Sequence, residues 1–62
     1  MNHVKDFRKN LGLSQLGLAK QIGVSRQTIN MIENNKYNPT LELCINLALA
    51  LKTDLNTLFW NK

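Results

Sequence analysis

Residues 14–34 read SQLGLAKQIGVSRQTINMIEN, and this stretch decides the fold. Its apolar residues recur at helical spacing on both sides of a Gly-Val-Ser break, which predicts two short amphipathic helices rather than strands. Two helices that cross steeply at such a turn bury these residues between them and against the rest of the chain. The residues predicted to be buried are Leu18, Ala19, Ile22, Val24, Ile29 and Ile32.

The second segment leaves its polar side chains on the opposite face. This is the pattern of a helix-turn-helix motif, whose second helix can enter the major groove of DNA. Arg26 and Gln27 open that helix, and their side chains match the hydrogen-bonding edges of guanine and adenine, respectively. Asn30 and Met31 lie about one turn further on and could add a base hydrogen bond and a thymine-methyl contact. Two alternatives stay open: Arg26 grips only phosphate, and Met31 fills a gap against a neighbouring helix.

Size and composition indicate one small domain over residues 1–62. A chain of this length is near the lower limit for a fold without disulfides or metal. The single cysteine, Cys44, cannot form an internal bridge, which fits a reducing cytosol. The most apolar stretch, residues 43–51, is too short to span a bilayer, and no signal peptide is recognisable. We therefore expect a soluble, unprocessed, cytoplasmic protein that does not bind membranes.

The positive charge is concentrated in the first 36 residues, which carry the whole formal net charge of +4. Beyond them the cations and carboxylates cancel. A basic surface attracts phosphate, although basic residues without a motif more often form an ordinary solvated surface. The coincidence with the helix pair favours a nucleic-acid partner. The cations concerned are Lys5, Arg8, Lys9, Lys20, Arg26 and Lys36.

The capping residues and helix-breaking residues elsewhere in the chain predict an all-α fold of five helices. Asn2 can cap a first helix with Val4, Phe7 and Leu11 on one face, and Gly12 can end it. The next two helices would begin at serine caps, and the second of the two would run to about Asn34. These caps are Ser14 and Ser25, with Gly23 between the two helices.

Two further helices are predicted over residues 40–51 and 54–59, for the core and for dimerisation. Pro39 disfavours a helical residue before it, so the fourth helix begins at Thr40. Thr53 would cap the fifth. The expected buried sides of these two helices are Leu41, Cys44, Leu47, Ala48 and Leu51, and then Leu55, Leu58 and Phe59.

The chain resembles the Cro and phage-repressor family of helix-turn-helix proteins, often called Xre-like. The matching segments are LGLSQ at 11–15, LA at 18–19, IGVS at 22–25, QTI at 27–29, IEN at 32–34, NPTL at 38–41 and LNTLF at 55–59. The resemblance covers nearly the whole chain. It implies a compact, lambda-repressor-like domain of five helices and a homodimer that binds operator DNA and regulates transcription.

The resemblance also implies roles for individual residues. The first exposed positions of the third helix, Arg26 and Gln27, correspond to base-reading positions. Gln15 corresponds to a phosphate contact that can also brace the glutamine of the third helix. Arg8 and Glu33 correspond to an ion pair between the first and third helices, with an architectural role.

Phosphate contacts are expected at the start of the second helix and around the third. Free amides and the positive end of the helix dipole suit an anion there, and the loop after the third helix is rich in donors. The alternative for Gln15 is an ordinary polar residue of a first helical turn. The expected contacts are Ser14, Gln15, Ser25, Thr28, Asn34, Lys36, Tyr37 and Asn38.

Gly17 departs from the family pattern, which commonly has glutamate three residues after the cap. The chain thereby loses the reciprocal bond of a capping box and gains backbone entropy in the unfolded state. We therefore expect the second helix to be weakly held at its start.

The C-terminal part is more apolar than so small a core requires, which favours a homodimer. The expected interface is Leu49, Leu58, Phe59 and Trp60, and a two-fold dimer would recognise an inverted repeat. The alternative is a tightly packed monomer with Trp60 folded back on the core.

No pattern predicts a metal site, a cofactor, a small-molecule ligand or catalysis, so the chain is expected not to be an enzyme. His3 and Cys44 have no metal-ligand spacing. Two other hypotheses remain beside that of a sequence-specific regulator that acts as a repressor. One is an antitoxin-like or accessory protein that mainly binds another polypeptide, and the other is a helical bundle without a nucleic-acid role.

Overall fold

The computed structural model describes residues 2–60, and within this range the chain forms five helices and no strand. Helices α2 and α3 pack against each other, α4 packs against α2, and α1 packs against α3. The all-α fold with a helix-turn-helix at its centre is therefore confirmed. The helices are α1 (Val4–Asn10), α2 (Gln15–Ile22), α3 (Arg26–Glu33), α4 (Leu41–Ala50) and α5 (Asn56–Trp60).

Local sequence signals set the helix ends. The side chains of Ser14, Ser25 and Thr40 each accept a hydrogen bond from the backbone N–H three residues later, at 2.9, 3.1 and 3.2 Å. These bonds satisfy amides that have no partner within the helix. Gly12 and Gly23 follow α1 and α2 with φ of +71° and +74°, a left-handed conformation that a Cβ atom disfavours. The predicted caps and stops of the helix pair are thus present.

The core takes one apolar side from each helix. Among the residues predicted to be buried around the turn, Ile22 and Val24 are only partly buried and pack against the core, while the others belong to it. Buried leucine and isoleucine side chains each contribute about 1.5–3 kcal/mol by removal from water. The buried residues are Val4, Leu18, Ala19, Ile29, Ile32, Leu47, Ala48, Leu51 and Leu58.

Two residues expected in the core are exposed instead. Leu11 lies just beyond the end of α1, where the chain turns away from the helix face that carries Val4. Leu41 is the first residue of α4 and lines a surface groove with Phe59 and Trp60. The periodicity was correct in both cases, but the positions fall at helix ends, outside the packed interior.

The caps of α1 and α5 also differ in detail from the prediction. Asn2 does accept a hydrogen bond from the backbone of Val4, at 3.0 Å, but His3 occupies the N-cap position. For α5 the capping side chain is Asp54 rather than Thr53, because the Asp54 Oδ1 atom accepts from the Thr57 amide at 2.7 Å. A carboxylate is a stronger acceptor than a hydroxyl. The residues of α5 have the wide winding of a π-helix.

Candidate nucleic-acid interface

Helix α3 has one buried side and one exposed side. Ile29 and Ile32 are buried in the core and fix the rotation of the helix. The opposite side is polar and solvent-exposed except for Met31, which is partly buried and therefore also packs against its neighbours. The four residues predicted to read bases lie on this side: Arg26, Gln27 and Asn30 are exposed, and Met31 is partly buried.

The turn before α3 places two of these side chains at the tip of the helix. Ser25 is the N-cap, so Arg26 and Gln27 are the first two helical residues. The Ser25 and Thr28 hydroxyl oxygens lie 2.9 Å apart and share one hydrogen. Both hydroxyls predicted to contact phosphate are thus engaged with each other, which orders this first turn.

Glu33, at the end of α3, takes part in a buried ion pair with Arg8 of α1. The Arg8 Nε atom donates to Glu33 Oε2 at 2.6 Å, and Nη2 donates to Oε1 at 3.3 Å. Their side chains are 9 % and 2 % exposed. The Arg8 Nη1 atom also donates to the carbonyl of Leu13, at 2.8 Å, in the turn before α2. The pair therefore holds together α1, the start of the helix-turn-helix and the end of α3.

Gln15 joins this network from the first residue of α2. Its Nε2 atom donates to Glu33 Oε1 at 3.0 Å, so the glutamine contacts Glu33 and not Gln27, the partner that the resemblance suggested. One amide hydrogen is committed to Glu33, and the second is not used by this bond. Sequence reasoning missed this contact. The pairing of Arg8 with Glu33 placed the end of α3 near the start of the helix-turn-helix and was the available signal.

The start of α2 also carries Ser14, which is exposed. Its oxygen accepts from the amide of Gly17, and its own hydrogen is not needed for that bond. Ser14 can therefore cap the helix and donate outward at the same time. Two of the predicted phosphate contacts, Ser14 and Gln15, are thus neighbours at one end of α2.

The loop after α3 presents donors to solvent. Lys36, Tyr37 and Asn38 are exposed, and the Lys36 amide donates back to the carbonyl of Met31 at 2.8 Å. Asn34 is exposed as well, but its Nδ2 atom donates to the carbonyl of Asn30 at 2.8 Å. Asn34 therefore helps to terminate α3 and keeps only one amide hydrogen for a ligand.

The charges around the motif leave an excess of exposed cations. Because Arg8 and Glu33 neutralise each other inside the molecule, the basic half is left with one exposed carboxylate, Asp6. Arg26 is the first residue on the polar side of α3 and Lys36 lies in the loop after the helix, so this side carries a positive charge near each end. The exposed cations are Lys5, Lys9, Lys20, Arg26 and Lys36.

Among residues 2–60 there is no cluster of three or more histidine, cysteine, aspartate or glutamate side chains that could hold a metal ion. Cys44 is a partly buried free thiol. Burial raises the pKa of this thiol, which makes it a weaker nucleophile at neutral pH.

The residues proposed for a dimer interface differ in exposure and line different hollows. Leu58 is 0 % exposed and is part of the core, so its side chain offers no surface to a second copy. Phe59 and the exposed Trp60 line a groove with Pro39. Leu49, which is 72 % exposed, borders a different hollow at the end of α2. Leu58 was expected both on the buried side of the fifth helix and at the interface; its burial is confirmed, and its assignment to the interface was wrong.

Comparison with known proteins extends these observations to nearly the whole chain. A family model described as helix-turn-helix matches residues 4–58. An uncharacterized helix-turn-helix-type transcriptional regulator of Archaeoglobus fulgidus is 39 % identical over 90 % of this chain and 80 % of its own length. The similarly named YgzD of Bacillus subtilis is 37 % identical over 95 % of this chain and 89 % of its own.

A phage protein is similar to the chain as well. The ImmF control region 10 kDa protein of Bacillus phage phi105 is 38 % identical over 89 % of this chain and 61 % of its own length. None of the helices within residues 2–60 has the length and apolar character of a membrane-spanning segment. The helix pair, its exposed polar side and these similarities together show that the chain belongs to the Cro and phage-repressor (Xre-like) family of DNA-binding helix-turn-helix transcription regulators.

Proposed function

We propose that this protein is a cytoplasmic repressor that binds an inverted-repeat operator in double-stranded DNA as a homodimer. One observation carries the proposal: α3 buries Ile29 and Ile32 and thereby turns Arg26, Gln27 and Asn30 out to solvent. An α-helix with such a polar side fits the major groove, where each base pair presents its own pattern of donors and acceptors.

Base recognition is assigned to the exposed side of α3. Arg26 donates two hydrogen bonds to guanine O6 and N7, and Gln27 pairs with the N6 and N7 edge of adenine. Asn30 adds a base contact one turn further along, and Met31 packs against a thymine methyl group. Each well-placed bidentate contact discriminates against the wrong base by about 1–3 kcal/mol.

Phosphate contacts flank this base-reading side. At the start of α2, Ser14 donates its hydroxyl hydrogen and Gln15 its second amide hydrogen, beside the free amides of the helix end. After α3, the exposed loop supplies Lys36, Tyr37 and Asn38. Such contacts fix the position of the helix on the duplex and carry no sequence information themselves.

Repression follows from occupancy of a promoter. The phage phi105 protein that resembles this chain is named for a control region, which supports a role in transcription control. The exposed aromatic end of α5 supplies an apolar surface that a second copy can cover. A two-fold dimer would place two α3 helices about one turn of DNA apart, roughly 34 Å.

Selection from a random pool of DNA duplexes tests this function. We expect enrichment of an inverted repeat whose half-sites are about 10 base pairs apart, centre to centre. A pool that stays random after repeated selection at physiological salt would contradict sequence-specific binding.

A second candidate function is supported by the exposed apolar side chains of α4 and α5. Leu41, Leu49 and Trp60 are each more than half exposed, which suits contact with another polypeptide. In that case the chain is an accessory or antitoxin-like protein. Purification from the native cell at physiological salt distinguishes the two, because only this candidate predicts a different polypeptide bound in stoichiometric amount.

A further inference from the structure

The side chain of Asn2 connects the start of α1 with the end of α3. Its Oδ1 atom accepts from the amide of Val4 at 3.0 Å, at the start of α1. Its Nδ2 atom donates to the carbonyl of Ile32 at 2.8 Å and to Asn35 Oδ1 at 3.2 Å. One partly buried amide thus ties the start of α1 to the last turn of α3 and to Asn35, the second residue beyond that helix.

Asn35 is where the chain leaves α3, and its backbone is unusual. Its φ is +58°, in the left-handed region that residues with a Cβ atom seldom adopt. Asparagine tolerates this conformation better than most residues, but its surroundings still have to hold it in place. The Asn35 amide donates to the same Ile32 carbonyl that accepts from Asn2, at 3.1 Å. Asn2 therefore contacts both the backbone acceptor and the side chain that define this turn.

The turn sets the course of the exposed loop that follows. Lys36, Tyr37 and Asn38 line one surface cavity together with Asn2 and Asn35. A loop that is already ordered loses less entropy when it contacts a ligand, so the same donors bind more tightly.

We propose that Asn2 is a positioning residue for DNA binding, which holds the loop of Lys36, Tyr37 and Asn38 in the conformation that contacts phosphate. This inference rests on the proposed function, because it assigns the loop to the DNA backbone. It gives Asn2 a role beyond the capping of α1, and it predicts an effect on affinity without any change in charge.

Asn2→Ser tests the proposal. Serine keeps an oxygen that can accept from Val4, but its side chain is one atom shorter and cannot donate to both Ile32 and Asn35. We expect affinity for duplex DNA to fall roughly fivefold at fixed salt, for selected and scrambled sequences alike, as when one charge-assisted hydrogen bond is weakened. We also expect Lys36→Ala to reduce affinity less in the Asn2→Ser background than in the wild type, because coupled residues are not additive.

Two further variants make the result decisive. Asn10→Ser is the same neutral exchange at an exposed residue at the end of α1, and it should leave affinity unchanged. Asn35→Gly keeps the cap of α1 and permits the positive φ, but it removes the side chain that Asn2 contacts; it should reduce affinity in the same direction even if Asn2→Ser does not fold. The outcome is judged on Asn2→Ser and Asn35→Gly. If each of these variants that folds binds DNA with wild-type affinity, the positioning role of Asn2 is overturned, while the proposed function is not. A wild-type protein that does not bind duplex DNA would overturn the proposed function and this role with it.

Discussion

Glu33 shows how a single buried charge organises the molecule. Its side chain is 2 % exposed, and its carboxylate receives hydrogen bonds from Arg8 and Gln15, so both oxygens have partners. Removing a carboxylate from water is costly unless it is paired and hydrogen-bonded. The three side chains come from α1, α2 and α3, which makes the relative position of these helices depend on one site.

Replacing Glu33 with glutamine should lower the free energy of unfolding by about 3 to 5 kcal/mol, because the Arg8 guanidinium stays buried without a counter-charge. Denaturant titration measures this loss. Asp6→Asn is the control, since Asp6 forms an exposed pair with His3 at 3.7 Å and its loss should cost less than about 1 kcal/mol. If both variants lower the free energy of unfolding by the same small amount, the buried pair contributes no more to stability than the exposed pair does.

Gly17 is the residue at which stability is most easily gained. Gly17→Glu should stabilise the protein by about 1 kcal/mol, from higher helix propensity and a completed capping box. A Cβ atom there would lie 3.2 Å from Ser14 Oγ, a tight contact, so this oxygen must shift by a few tenths of an ångström while it still caps the helix. Thermal unfolding of Gly17→Ala separates the two contributions. A melting temperature at or below that of the wild type in both variants would show that the contact with Ser14 outweighs them.

Single residues were predictable where their role is local. Ser14, Ser25 and Gly23 act within one helical turn, so their spacing in the sequence was sufficient. The bond between Gln15 and Glu33 joins residues 18 positions apart and depends on the crossing of α2 and α3. No local pattern contains that crossing geometry.

At the scale of helices, the sequence was informative where one face is apolar and the other polar. Helix α3 is such a case, and its rotation was predicted correctly. Helix α4 is apolar on nearly all sides, with Leu47 buried and Leu49 exposed two residues later. The predicted side was nevertheless correct for Leu47, Ala48 and Leu51, and it failed for Leu41, which lies at the exposed start of the helix.

The cap of α5 makes its stability depend on pH. The hydrogen bonds that Asp54 accepts, first from the Thr57 backbone and then from its side chain, hold the pKa of this carboxyl below its ordinary value of 3.8. A carboxyl with a lower pKa in the folded state stabilises the fold above its unfolded pKa. That contribution is lost as the pH falls through the folded pKa.

Asp54→Asn should therefore be less stable than the wild type at pH 7, and the difference should shrink as the pH falls below about 4. Melting temperatures between pH 7 and pH 3 measure this effect. Glu42→Gln, in the first turn of α4, is a control for general changes in charge. A difference between Asp54→Asn and the wild type that stays constant down to pH 3 would contradict the assignment of Asp54 as the cap.

At the scale of the whole molecule, the proposed DNA-binding surface lies in the basic half and the proposed dimer surface in the apolar C-terminal part. The exposed cations of residues 2–36 lie on α1 and on and around the helix-turn-helix, and the exposed aromatic end lies on α5. Charge segregation was evident from the sequence, because it needs only a count of residues. The exposure of Leu49 and Trp60 was predicted as well. Leu58 was expected both in the core and at the interface, and only the packing of α5 shows that it lies in the core.

Trp60→Ser tests the proposed dimer. Trp60 is 64 % exposed, so its loss should weaken self-association at least tenfold and leave the core intact. Sedimentation at micromolar concentration should show a dimer for the wild type and mainly monomer for the variant. Leu16→Ser, an exposed apolar residue of α2, should sediment like the wild type. A monomeric wild type would contradict the homodimer and leave the groove beside Trp60 without this role.

The central claim is that the exposed side of α3 reads base sequence while its flanks hold the DNA backbone. Arg26→Ala and Lys36→Ala each remove one exposed cation, from the start of α3 and from the loop after it, and are therefore matched in charge. The decisive measurement is the affinity of both variants for the selected duplex and for a scrambled duplex over a range of salt concentrations.

We expect Arg26→Ala to lose about 1–3 kcal/mol of the preference for the selected duplex. Lys36→Ala should weaken binding to both duplexes equally and reduce the salt slope by about one unit. Equal losses on both duplexes for Arg26→Ala, indistinguishable from those of Lys36→Ala, would show that α3 grips the backbone and does not read the sequence.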